Sequence, residues 1–147
     1  SPVLIFDDAD LDRALDAALF TIFSLNGERC TAGSQIFIQE TVYDEFVKQF
    51  AARAKRLIVG DPQDFNTQVG SMITRQHYDK VTGYIRIGLE EGATLLAGGL
   101  ERPQNLPAHL QKGHFIQPTV FADVDNRMRI AQEEIFGPVV CLMKFKD

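Results

Sequence analysis

The sequence predicts an α/β fold with a mainly parallel sheet covered by helices on both faces. Short runs rich in β-branched and aromatic residues alternate with longer stretches whose apolar residues recur at helical spacing, which is the pattern of βαβ units. The chain has 147 residues, enough for one ordinary domain and too few for two comfortable ones. With 45% hydrophobic and 24% charged residues it has the composition of a globular domain, without internal repeats or low-complexity tracts.

The elements follow in order. Val3-Leu4-Ile5-Phe6 is an apolar, strand-like run. A buried strand at the first residues usually has an element before it, so the chain reads as part of something longer. Asp10 is placed to cap a helix carrying Leu11, Ala14, Leu15, Ala18, Leu19 and Ile22 on one stripe, ending near Asn26-Gly27. A tight segment, Gly27 to Gly33, leads into a strand over residues 34–39. Thr41, with Asp44, is expected to cap the next helix, whose Val42, Phe46, Val47, Phe50, Ala54 and Leu57 face the core. Gly60-Asp61-Pro62 opens a polar loop to about Thr74. A third helix over 74–91 presents Val81, Tyr84, Ile85 and Gly88 on one side and hands over to a strand at 93–97. The Pro- and Asn-containing stretch 101–112 reads as a surface loop. Strands at 114–121 and 139–145 bracket a short helix near 127–130, and Asp147 stands at a plausible helix cap.

The formal net charge is -5, with acids and bases interleaved, so no clustered basic face suits nucleic acid or a membrane surface. No apolar run approaches the roughly 20 residues that span a bilayer. The N-terminus lacks the basic and small-residue features of a signal peptide. Cys30 and Cys141 form no CxxC pair, and His77, His109 and His114 do not join them at metal-ligand spacing. The expectation is a reducing, cytoplasmic setting with no disulfide and no metal.

Cys30 lies between a helix end and a strand start, with Gly27 and Gly33 on either side. Such a turn can present a thiolate nucleophile to a cleft, with neighbouring N–H groups to hold an oxyanion. By residue type alone, a small buried hydrophobe closing the corner is the commoner reading. Cys141, inside Val139-Val140-Cys141-Leu142-Met143, reads as inert. A second segment, Gln132-Glu133-Glu134-Ile135-Phe136-Gly137-Pro138, offers a carboxylate for ribose hydroxyls and a ring for a nicotinamide face. Taken alone it also reads as a solvated acidic turn with Phe136 plugging the core.

Asn26-Gly27-Glu28-Arg29-Cys30-Thr31-Ala32-Gly33-Ser34 resembles the nucleophile motif of the aldehyde dehydrogenase superfamily, and Glu134-Ile135-Phe136-Gly137-Pro138 resembles its cofactor-ribose motif. The two stand in the family's order, and the likeness runs along the whole chain. It implies residues 1–147 as a partial catalytic domain of that family's type, truncated at both ends, with the NAD-binding and oligomerisation domains outside it. It also implies NAD as cofactor, NADP being the alternative, and Cys30 as the nucleophile. Glu134 then holds the nicotinamide ribose, with Phe136 beside the ring. His77 and Lys80, on neighbouring positions of the third helix, become candidates near the cofactor, with a solvated helix face as the plain alternative.

Ser1-Pro2 resembles the tail of a family stretch whose Glu activates the deacylating water, so that base and the oxyanion Asn are expected upstream. The isolated chain is then expected to be inactive, and its full-length parent a homo-oligomer acting on a small aldehyde. The stretches 3–11, 17–24 and 106–110 resemble a branch that oxidises carboxylate-bearing semialdehydes in aromatic-compound breakdown. Two rivals make opposite forecasts. A thiol hydrolase needs one of the three histidines within hydrogen-bond reach of Cys30, and a non-catalytic βαβ module needs Cys30 buried.

Overall fold

A computed structural model of the chain describes residues 1–146; Asp147, read above as a helix cap, lies outside the described residues. Five strands form one sheet: β1 (Pro2–Ile5), β2 (Gln35–Gln39), β3 (Thr94–Ala97), β4 (Thr119–Ala122) and β5 (Val139–Phe145), in the order β1-β2-β5-β4-β3. Three of the four pairings are parallel, and β3 closes one edge antiparallel to β4. The helices are α1 (Leu11–Phe23), α2 (Glu40–Ala54), α3 (Arg75–Glu90) and the single-turn α4 (Arg129–Gln132).

The central strand β5 shows why the strands are apolar throughout. Val140 and Leu142 point into the core shared with α1 and α2, while Val139, Cys141 and Met143 point into the core shared with α3 and α4. β2 divides likewise, with Ile36 and Ile38 on the first face and Phe37 on the second. A strand covered on both faces has no solvent side, so side-chain alternation sorts apolar residues between two cores instead of between core and water.

Asp10 caps α1 as expected, its carboxylate accepting from the Arg13 N–H at 3.2 Å. The α-helix nevertheless ends at Phe23, three residues before Asn26. Leu25 and Asn26 turn left-handed at φ 51° and 59° before Gly27 at 67°, so the exit is a 3-10 turn over Ser24–Gly27. Thr41 is not the cap of α2. The helix starts at Glu40, and the Thr41 hydroxyl instead donates to the Asp7 carboxylate at 3.3 Å. The strand expected over 114–121 shrinks to β4, because the His114 carbonyl is taken by the Met72 N–H at 2.8 Å and Pro118 has no N–H to give a ladder. The short helix falls at 129–132, two residues later than expected. α3 lies where the periodicity puts it, with Thr74 accepting from the His77 N–H.

Candidate active site

The Cys30 turn leaves α1 and enters β2 at the β1/β2 end of the sheet. Backbone bonds from Glu28 N–H to Leu25 O, Ala32 N–H to Arg29 O and Ser34 N–H to Ala32 O wind it tightly. The winding holds Cys30 outward and exposed, against the packing-only forecast. No partner for the Cys30 N–H is found among the described residues, so that donor is free beside the thiol. The Cys30 carbonyl accepts from the Ser1 hydroxyl at 2.6 Å.

Arg29 does not serve the thiolate. Its guanidinium donates to the carbonyls of Phe20 and Thr21 and lies over the Phe20 ring, bracing the C-terminal end of α1. The histidines are placed elsewhere as well: His77 against Phe136 and Glu28, His109 against Asp61, and His114 against the Tyr78 ring. Among the described residues none hydrogen-bonds Cys30, which removes the support for a Cys–His hydrolase. Cys141 is 1% exposed, with its thiol directed at the Ile130 carbonyl, and burial pushes its pKa up to about 12.

The second motif lies directly against this turn. A Cβ on Gly27 would stand 2.3 Å from the Gly137 carbonyl oxygen, and one on Gly137 would stand 2.8 Å from Val81 Cγ2. Gly27 is thus what lets the two backbones approach so closely, while Gly137 leaves room for Val81. Cys30, Glu134 and Phe136 consequently line one small, shallow cleft, together with Ser1, Ala32 and Ser34. Phe136 adopts φ 62°, a left-handed conformation that costs an aromatic residue on the order of 1–3 kcal/mol and persists only where its surroundings over-determine it.

The adjacent acids part company. Glu133 is bound by Arg129 at 2.9 and 3.1 Å and by the Tyr84 hydroxyl at 2.7 Å, and the guanidinium beside it holds its pKa down to about 2. Glu134 has no hydrogen bond or ion pair among the described residues and is exposed at the cleft. His77 and Lys80 separate too. His77 donates from Nε2 to the Phe136 carbonyl at 2.6 Å, whereas Lys80 is exposed with Nζ 5.8 Å above the Tyr84 ring. Sequence reasoning missed Glu28. Its carboxylate is 15% exposed and stands 3.5 Å from His77 Nε2, and only its place inside the nucleophile motif could have drawn notice.

A free carboxylate, a ring and a thiol around one cleft suit a ribose, a nicotinamide and an electrophilic carbon. Among the described residues there is no group of three or more ligands able to hold a metal, and no helix long and apolar enough to cross a membrane.

Comparison with known proteins bears on the same point. The chain is 73% identical over its whole length to the 5-carboxymethyl-2-hydroxymuconate semialdehyde dehydrogenase of Escherichia coli, and 47% to a betaine aldehyde dehydrogenase of Vibrio vulnificus. It spans 31% and 30% of their lengths, about a third of each. Among solved structures it matches HpcC from Thermus thermophilus with a TM-score of 0.94 at 49% identity, over the whole of this chain and 28% of that one. It matches a betaine aldehyde dehydrogenase of Staphylococcus aureus, solved in complex with NAD+, with a TM-score of 0.94 at 39% identity, over the whole of this chain and 29% of that one. The model of the aldehyde dehydrogenase family matches residues 1–147, and the chain belongs to that family.

Proposed function

We propose that this chain carries the nucleophile and the nicotinamide wall of an NAD-dependent dehydrogenase. Its substrate is 5-carboxymethyl-2-hydroxymuconate semialdehyde, oxidised to the carboxylic acid in the breakdown of aromatic compounds. The observation that carries the reading is the meeting of Cys30, Glu134 and Phe136 on one cleft. The 73% identical relative supports the substrate, and the NAD-bound structural neighbour supports the cofactor.

The Cys30 thiolate adds to the aldehyde carbon. A C–S bond forms as the carbonyl electron pair moves to oxygen, and the free Cys30 N–H donates to that oxyanion. NAD, when bound, supplies the acceptor for the hydride that leaves this carbon. Glu134 would accept from the ribose hydroxyls, and Phe136 would limit which face of the nicotinamide meets the substrate carbon. Hydrolysis of the thioester releases the acid and restores the thiol. The water-activating base and a side-chain oxyanion donor come from outside these residues, so the 147 residues alone should not turn over. The full-length protein is a homo-oligomer working in the cytoplasm.

The test is steady-state NADH formation by the full-length protein with competing semialdehydes, alongside iodoacetamide mapping with and without NAD. Preferential turnover of the carboxylate-bearing substrate, with alkylation at Cys30, is the expected result. Alkylation of Cys141 while Cys30 stays intact would sink the reading.

A further inference from the structure

His77 is a candidate by sequence for touching the cofactor, yet one of its two ring nitrogens, Nε2, is already committed to the protein. A carbonyl oxygen only accepts, so the 2.6 Å contact requires His77 Nε2 to carry the proton and donate to Phe136 O. The same nitrogen stands 3.5 Å from Glu28 Oε1, and the imidazole lies edge-on to the Phe136 ring at 6.0 Å. Both side chains are largely buried, 17% exposed for His77 and 15% for Glu28.

Glu28 is itself held from behind. Its carboxylate accepts from Asn26 Nδ2 at 3.3 Å and from the Ile73 N–H at 3.4 Å. Asn26 in turn accepts from the Gly70 N–H at 2.7 Å and donates to Ser71 O at 3.1 Å. Polar contacts therefore run from the 70–73 loop through Asn26 to Glu28 of the Cys30 turn, and His77 of α3 sets its one Nε2–H beside that carboxylate while donating it to the Phe136 carbonyl. The Phe136 peptide is the one whose left-handed conformation needs an outside hold.

We propose that His77 is a positioning residue, acting on the cofactor site through the Phe136 peptide. With the Glu28 carboxylate favouring the Nε2–H form, it fixes the Phe136 peptide against the Cys30 turn and so sets the nicotinamide wall before the cofactor arrives. The inference rests on the reading of Glu134 and Phe136 as that wall. Lys80, one turn further along the same helix, has no part in these contacts.

The test uses the full-length enzyme, with NAD binding by calorimetry, steady-state kinetics and thermal unfolding. His77→Leu should raise the Kd and KM for NAD about 5-fold, the effect of losing one buried hydrogen bond. The KM for aldehyde and the NAD-free alkylation rate of Cys30 should stay within about twofold of the parent, because neither depends on the His77 bond. His77→Gln, which keeps a donor, should recover most of the NAD affinity. Glu28→Gln should weaken NAD binding about twofold, and the double variant should be no worse than His77→Leu, because both act through one bond.

Several results overturn the proposal. They are unchanged NAD affinity in His77→Leu, His77→Gln falling as far as the leucine variant, or losses that multiply in the double variant. If His77→Leu does not fold, the His77→Gln and Glu28→Gln results still decide. A parent protein that binds NAD normally while these variants fail the forecast removes only the role of His77; a parent that binds no NAD removes the nicotinamide wall as well.

Discussion

Two cysteines stand in this chain in opposite settings. Cys30 lies in a turn wound between two glycines, exposed, with a free N–H beside it. Cys141 lies in the middle of the central strand, closed in from both sides, its thiol raised to about 12 by burial. The difference teaches that a nucleophile needs access before it needs activation. The sheet centre can only make a thiol inert, whereas the corner between α1 and β2 can present one.

Exchanging the cysteines for alanine tests that contrast most severely. In the full-length enzyme Cys30→Ala should lower turnover by at least about 10³-fold while leaving the unfolding midpoint nearly unmoved. Cys141→Ala should do the reverse, keeping turnover and losing about 1–2 kcal/mol of stability to a small cavity. The two are read by steady-state kinetics and thermal unfolding on the same preparations.

The turn itself can be broken next. Gly27→Ala must keep a left-handed backbone and meet the Gly137 carbonyl, so it should cost at least about 1–2 kcal/mol and lower both activity and stability. If stability falls with unchanged kinetics, the close approach of the two motifs serves folding alone.

The neighbouring acids sharpen the contrast between a free group and an engaged one. Glu134→Gln should raise the KM for NAD about 10-fold, as expected on losing a charged acceptor. Glu133→Gln should leave that KM nearly unchanged and weaken only the tie from α4 to α3 through Tyr84 and the brace from Arg129 within α4.

The smallest effect near neutral pH comes from the buried thiol. Its folded pKa is raised above the ordinary value, so folding favours the protonated form. Stability should be level below about pH 8.5, the unfolded thiol value, and decline from there towards pH 12. Tyr43, also pushed up to about 12 by burial, adds a decline above about pH 10. Cys141→Ala should remove the portion that begins near about 8.5, as seen in urea midpoints taken across alkaline pH.

Much of the frame was legible in the sequence because periodicity reports local burial. α3 and β5 stand where their patterns put them. The expectations failed where a local pattern competes with a partner distant in sequence. Thr41 can cap a helix, but the Asp7 carboxylate is within its reach. Residues 114–118 look like a strand, but the loop at Met72 claims their backbone.

The sequence by itself determined the alternation of strands and helices, the apolar strands of a two-faced sheet, and the two motifs that carry the family likeness. Only the tertiary structure decided that Glu134 is free while Glu133 is tied to Tyr84, that Arg29 turns away from Cys30, and that His77 reaches Phe136 while Lys80 does not. The physical reason is range. Propensity and periodicity act over a few residues along the chain, whereas each of these choices was made by a partner on another element, brought close only when the sheet folded. Cys30 belongs to both sides of that division: its turn was written locally, and its place beside Glu134 depends on Gly27 meeting the Gly137 carbonyl across 110 positions, from 27 to 137.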